Sequence, residues 1–219
     1  MRLPSPPLLV ITDRHQARRP LPEIAAALFA GGCRWLSLRE KDLAAAERLA
    51  LLQSLVELGR PYGAVVGVHD DVAAAAATEA ALHLPDGVVP AEARRRLGAK
   101  ALIGASCHDA SGIARAAAAG ADYATLSPIF VSTSKPGYGP ALGLAALAAV
   151  SRVTTLPIIA LGGIDEAVIA DVIASGAAGA AVMGAAMTAD DPQSLMAALV
   201  AHIGAALAAR QDGSHSPPR

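Results

Sequence analysis

The 219 residues of this chain suit one large domain, and 53% of them are hydrophobic whereas only 17% are charged. This balance supplies a sizeable core and excludes an intrinsically disordered protein. The net charge of −1 provides no excess of basic residues, so we expect no nucleic acid to bind through a charged surface.

Cysteine content and hydropathy predict a cytoplasmic protein. The two cysteines, Cys33 and Cys107, are too few for a disulfide framework and fit a reducing compartment. No stretch approaches the ~20 uninterrupted, strongly apolar residues of a membrane span, so we expect no membrane partner. The Ser-, Pro- and His-rich segment 211–219 is expected to be a disordered tail, which leaves residues 1–210 for a single domain.

Short apolar runs alternate with longer alanine-rich segments at helical spacing along the chain. In chain order, the predicted pairs of strand and helix are 8–12 and 22–30, 35–39 and 43–58, 64–68 and 71–78, 81–84 and 90–97, 102–106 and 110–119, 123–126 and 142–153, 157–160 and 166–175, and 179–182 and 192–208. Such alternation indicates right-handed βαβ crossovers and a parallel sheet. Eight pairs with nothing left over predict an α/β fold, the (β/α)8 TIM barrel, whose active sites lie at the C-terminal ends of the strands.

Glycine-rich turns follow the last two predicted strands. Gly162 and Gly163 come directly after strand seven, and Met183 and Gly184 repeat the pattern after strand eight. Glycines let backbone N–H groups approach an anion closely, and the helix that follows adds the positive end of its dipole. We therefore predict a phosphate site here. A bulky residue at Gly163 is expected to abolish it, because a Cβ would fill the space that the anion needs.

Basic and hydroxyl side chains mark a second anion site. Arg39 and Lys41 alternate with strand periodicity, so both face the same side. With Lys135 they are placed to surround a polyanion such as pyrophosphate, which arginine binds as a fork and lysine as a point charge. Ser132 and Ser134 would add hydroxyl donors.

Carboxylate and imidazole groups follow strands three and five. Asp70 is a candidate ligand for Mg2+, because a hard cation on a diphosphate needs one or two carboxylates. For the neighbouring Asp71 we favour a role as the cap of the next helix. His108 is a candidate general acid or base.

The chain resembles the thiamine phosphate synthase and TenI superfamily along nearly its whole length. The segments that carry the resemblance are 11–13, 38–42, 103–106, 120–123, 127–130, 132–135 and 159–164. The resemblance implies a barrel that acts on small phosphorylated thiamine precursors. Synthases of this family join a hydroxymethylpyrimidine diphosphate to a thiazole phosphate and release pyrophosphate, whereas TenI relatives move a proton on a thiazole carboxylate phosphate.

The match to a synthase is partial when it is followed residue by residue. The positions that match its substrate and metal contacts are Arg39, Lys41, Asp70, Ser106, Ser132, Ser134 and Lys135. Ser37 and His69 stand where the family usually has a glutamine and an asparagine close to the pyrimidine. The second magnesium aspartate is missing, so Mg2+ would be held weakly, and Asp86 replaces it only if its loop bends differently.

Three functions therefore stay open. The leading hypothesis is a synthase in which Arg39, Lys41, Lys135 and Mg2+ on Asp70 stabilise the departing pyrophosphate. A TenI-like tautomerase would use His108 or His69 to transfer a proton, although Pro128 stands where the best-known form has a histidine. A non-catalytic binder would need only the glycine turns. The sequence leaves the formation of a homo-oligomer open.

Overall fold

Eight parallel strands close into a barrel in the computed structural model, which describes residues 3–132 and 139–213. The strands are β1 Leu8–Ile11, β2 Trp35–Leu38, β3 Val65–His69, β4 Ala81–Leu84, β5 Ile103–Cys107, β6 Tyr123–Leu126, β7 Ile158–Leu161 and β8 Gly179–Val182. Each lies within one residue of its predicted bounds at both ends. The barrel closes where Val10 of β1 pairs with Leu36 on one side and with Val182 on the other. The predicted TIM barrel is confirmed.

Helices surround the barrel in the predicted alternation, with one addition. They are α1 Leu21–Ala30, α2 Ala45–Gly59, the 3-10 turn Arg60–Tyr62, α3 Val72–Thr78, α4 Pro90–Leu97, α5 Ala110–Ala118, α6 Gly143–Val153, α7 Ile169–Ala174, α8 Gly184–Thr188 and α9 Pro192–Gly213. The prediction of eight pairs with nothing left over was wrong, because α8 precedes the last helix. Five residues in one turn are too short for hydrophobic periodicity to reveal.

The last helix corrects the expected boundary of the tail. It extends to Gly213, so residues 211–213 belong to α9 and not to a disordered tail, and residues 214–219 lie outside the described part. Its segment Pro192–Asp212 is long and apolar enough to cross a membrane by length and composition alone, a test that a core helix also passes. In the structure Met196 and Ile203 are buried on one face, and the helix packs against α1 and α7.

The barrel interior is filled by side chains from alternate strand positions, as the pleat requires. One buried cluster comprises Leu9, Ile11, Trp35, Ala81, Leu102, Tyr123, Ile159, Ala181 and Met183. The rings of Trp35 and Tyr123 meet edge to face at 4.7 Å between centroids. Gly104 leaves room for them, since a Cβ there would overlap the Tyr123 ring.

We expect Gly104→Ala to lower the free energy of unfolding by about 1–3 kcal/mol, because the added methyl overpacks the interior. Gly204→Ala is the matched control. Gly204 is exposed within α9 with open space around its Cα, and alanine there should be neutral or stabilising by about 0.5–1 kcal/mol. Urea denaturation of both variants tests the pair. Equal stability of the two variants would contradict this packing account.

Candidate functional site

A cavity of about 880 Å³ opens at the C-terminal end of the barrel, and residues in or just after every strand line it. Eleven of the fourteen site residues predicted from the sequence lie on its wall: Arg39, Lys41, His69, Asp70, Ser106, His108, Ser132, Gly162, Gly163, Met183 and Gly184. Ser134 and Lys135 lie outside the described residues. The strand ends therefore meet in one place, as the closed parallel sheet requires.

Ser37 is not among the residues that line this cavity, so the prediction that it binds substrate is not supported. It is 2% exposed and pairs in register with Ile11 of β1 and Gly67 of β3. It shares the inward face of β2 with Arg39 but lies two residues earlier, and therefore one layer deeper in the barrel.

Arg39 and Lys41 line the cavity, and the residue between them is turned toward β1. Glu40 is 2% exposed, and its carboxylate accepts hydrogen bonds from the Thr12 hydroxyl at 2.7 Å and from the Arg14 backbone N–H at 3.1 Å to each oxygen. The Arg39 backbone N–H donates to the Thr12 hydroxyl oxygen at 2.9 Å. This network fixes the loop from which the two cationic side chains project. Sequence reasoning missed it.

A second contact ties the same loop together on its exposed side. The Arg14 guanidinium forms a two-pronged pair with Asp42, with 2.6 Å between Nη2 and Oδ2, and His15 Nε2 lies 2.9 Å from the same oxygen. The hydrogen bonds from Arg14, and then from His15, hold the pKa of Asp42 below its usual range. Asp42 is therefore an anion that stabilises the loop beside Lys41.

A buried histidine lies beneath the part of the cavity wall that carries Arg39 and Lys41, called the cationic wall below. His83 of β4 is 1% exposed, with Nδ1 3.0 Å from the Tyr123 hydroxyl and Nε2 2.9 Å from the Ser106 hydroxyl. Burial, followed by the positive charges of Arg39 and Lys41, lowers the pKa of His83 to about 3. The imidazole is therefore neutral at physiological pH.

Two carboxylates, Asp70 and Asp86, line the cavity at the ends of β3 and β4. The sequence did not determine how the loop after β4 bends. In the structure this loop brings Asp86 to the same cavity as Asp70. Asp71 accepts from the Ala74 N–H at 2.9 Å and pairs with Arg48, as the capping hypothesis predicted. Within residues 3–132 and 139–213, the Asp70 and Asp86 carboxylates form no hydrogen bond or ion pair. Two available carboxylates are a donor set that fits a hard divalent cation.

The glycine turn after β7 lines the cavity. The structure also requires glycine there because a neighbouring loop lies close, which the sequence did not predict. Gly162 and Gly163 both adopt positive φ, 102° and 64°. A Cβ on Gly163 would lie 2.7 Å from Phe130 Cβ and from the Val131 carbonyl oxygen. A side chain there would therefore displace the loop after β6, a contact that the sequence did not predict. Gly184, at the first turn of α8, completes this end of the cavity.

Two further polar contacts shape the wall. His108 Nδ1 lies 2.7 Å from the Ser127 carbonyl oxygen, so Nδ1 carries a proton and donates it there. In the neutral ring Nε2 is then the basic nitrogen. Gln16 also lines the cavity, and its amide donates to the Asp13 carboxylate at 2.6 Å. The sequence analysis did not select Gln16, although its position in the loop after β1 was a usable signal.

Comparison with known proteins identifies the family of the chain and agrees with the fold. The model of the thiamine monophosphate synthase family matches residues 8–186. A putative thiamine-phosphate synthase of Geobacter sulfurreducens is 42% identical over 198 residues, which cover 89% of this chain and 92% of that protein. A thiamine-phosphate synthase of Roseiflexus sp. is 40% identical over 201 residues, covering 90% of this chain and 85% of the relative.

A solved structure gives the same result. Thiamine phosphate pyrophosphorylase from Pyrococcus furiosus superposes with a TM-score of 0.82 at 28% identity, covering 91% of this chain and 96% of that one. The resemblance inferred from the sequence motifs is confirmed. The chain belongs to the thiamine monophosphate synthase family.

Proposed function

We propose that this protein is a thiamine phosphate synthase, which joins hydroxymethylpyrimidine diphosphate to thiazole phosphate and releases pyrophosphate. One observation carries the proposal. A single cavity has the cations Arg39 and Lys41 with Ser106 on the β2 to β5 side, and the glycine turns at Gly162 and Gly184 after β7 and β8. Two substrates that each carry phosphate need two such anion sites within reach of one another.

The family resemblance implies the reaction, and the cavity residues fit it. The bond between the pyrimidine methylene carbon and the diphosphate oxygen breaks, and the thiazole nitrogen forms a new bond to that carbon. The leaving pyrophosphate gains negative charge as the bond breaks, and Arg39 and Lys41 lie where they stabilise it. We assign Lys135 and Ser134 to the same group from the family resemblance. The protein provides charge and orientation, and it needs no nucleophile of its own.

We further propose that Asp70 and Asp86 hold Mg2+ beside the diphosphate. Both carboxylates line the cavity on the side of Arg39 and Lys41, and the cation would add positive charge against the leaving group. Asp70 matches the family pattern, and Asp86 takes the place of the missing second aspartate.

The decisive experiment incubates the purified protein with both precursors and titrates Mg2+, with thiamine phosphate and pyrophosphate measured as products. We expect both products in equal amounts and a requirement for Mg2+. Asp70→Asn should raise the Mg2+ concentration that gives half-maximal rate about tenfold or more, because it removes one anionic ligand. Asp71→Asn is the matched control, since that carboxylate caps α3 and pairs with Arg48. Robust release that ignores both Mg2+ and Asp70 would refute the mechanism.

A tautomerase remains the second candidate, because His108 lines the same cavity with Nδ1 held by the Ser127 carbonyl. Incubation with thiazole carboxylate phosphate in deuterated water tests it. Conversion without any coupling of the two synthase substrates would favour the tautomerase. Binding of thiazole phosphate with neither reaction would favour the non-catalytic binder.

A further inference from the structure

The proposed mechanism gives no role to two buried polar residues at the floor of the cavity, His83 and Tyr123, which form a series of hydrogen bonds with Ser106. The series runs from the Tyr123 hydroxyl through the imidazole of His83 to the Ser106 hydroxyl, with contacts of 3.0 Å and 2.9 Å. Tyr123 is 1% exposed and His83 is 1% exposed, whereas Ser106 is only partly buried and lines the cavity. This series of hydrogen bonds therefore leads from the closed interior of the barrel to the cavity.

The direction of these hydrogen bonds is fixed at the buried end. Within the described residues, His83 Nδ1 is the acceptor available to the Tyr123 hydroxyl, and a buried O–H group without an acceptor is strongly disfavoured. Tyr123 therefore donates to Nδ1. A neutral imidazole has one acceptor and one donor nitrogen, so Nε2 carries the proton. Among residues 3–132 and 139–213, the hydrogen-bonding partners of the His83 ring are hydroxyl groups, and with its burial this favours the neutral ring.

Nε2 then donates to Ser106 Oγ, its nearer partner, since Thr125 Oγ1 lies at 3.4 Å. A serine hydroxyl that accepts from the histidine keeps its own proton for another acceptor. Ser106 lines the cavity, so that proton is available to a bound anion. The opposite order would make Ser106 donate to His83 and present only lone pairs to the ligand, which would repel a diphosphate.

We infer that His83 is a positioning residue which, oriented by Tyr123, makes the Ser106 hydroxyl a hydrogen-bond donor to an anionic ligand. The identity of that anion, a diphosphate, rests on the proposed function. The direction of the hydrogen bonds among Tyr123, His83 and Ser106 rests on the structure alone. Either the identity of the anion or the direction of these bonds can therefore be wrong without the other.

Nitrogen-15 NMR of the histidine ring tests the order directly. The chain has six histidines, and comparison with His83→Gln assigns the signal of His83. We expect a neutral ring with the proton on Nε2 and none on Nδ1. In Tyr123→Phe, which keeps the aromatic ring against Trp35 but removes the donor, the signal should shift toward the other tautomer. A wild-type ring protonated on Nδ1 would overturn the inference.

Binding of inorganic pyrophosphate with Mg2+, measured by calorimetry, tests the consequence. Ser106→Ala and His83→Leu should each weaken binding about ten- to hundredfold, as expected for a hydrogen bond to a charged group. His83→Gln should stay within a few-fold of wild type, because the amide offers an acceptor to Tyr123 and a donor to Ser106. A purely structural histidine would not give this contrast.

The double variant His83→Leu with Ser106→Ala should bind no more weakly than Ser106→Ala alone, because both changes remove one contact. Additive losses, or wild-type affinity in His83→Leu, would overturn the inference. Tyr123→Phe supplies the same comparison if His83→Leu does not fold. A wild-type protein that binds no pyrophosphate would refute the proposed function, and the NMR result would then decide the role of His83.

Discussion

Replacing Arg39 with alanine should lower the turnover of thiamine phosphate formation by about two to three orders of magnitude. Arg39 lines the cavity on the side of Ser106 and Asp70, where negative charge develops on the leaving diphosphate. A fixed guanidinium in a partly closed site stabilises that charge without reorganisation of solvent. Because the charge grows as the bond breaks, the loss should appear mainly in kcat and much less in KM for thiazole phosphate.

Arg95→Ala is the matched control for this effect. Arg95 is exposed on α4, away from the cavity wall, and its replacement should leave kcat within a factor of about two. Lys41→Ala should resemble Arg39→Ala with a smaller loss, because Lys41 is more exposed and binds as a point charge. Steady-state kinetics with both substrates varied gives the comparison. Arg39→Ala turning over at the wild-type rate would remove the basis of the proposed mechanism.

The strands and the cationic wall could be predicted because both depend on local periodicity. Apolar runs separated by helical segments marked β1 to β8 within one residue, and the alternation of Arg39 and Lys41 placed them together on the cavity. Ser37, which the family resemblance places near the pyrimidine, lies two residues before Arg39 on the same face of β2. Period two tells which face of β2 a residue occupies, but not how deep in the barrel that position lies.

The features that escaped prediction depend on contacts between distant segments. Thr12 and Glu40 are 28 residues apart, and no pattern within either segment reveals their hydrogen bond. The role of Gly163 is set by Phe130 and Val131 of another loop. Asp86 reaches the cavity because of the course of the loop after β4, where Pro85 and Gly87 flank it. Loop geometry of this kind is fixed by tertiary packing, which a single sequence does not display.

The largest expected effect on stability is at Glu40, whose carboxylate holds the β1 and β2 loops together. Glu40→Ala would leave the buried Thr12 hydroxyl and the Arg14 backbone N–H without their acceptor. We expect the free energy of unfolding to fall by roughly 3 kcal/mol, which corresponds to a Tm lower by roughly 10 °C for a chain of this size. Differential scanning calorimetry measures both quantities.

Two further variants distinguish the loss of the hydrogen bonds to Glu40 from a general loss of negative charge. Glu57→Ala removes an exposed carboxylate that pairs with Arg60 on the surface, and Tm should change by only about 2 °C or less. Glu40→Gln keeps one acceptor oxygen and should fall between Glu40→Ala and wild type. Because the Arg39 backbone N–H bonds to Thr12, Glu40→Ala should also reduce turnover at temperatures where it stays folded. A Glu40→Ala protein with wild-type Tm and turnover would show that Arg39 is held by other contacts.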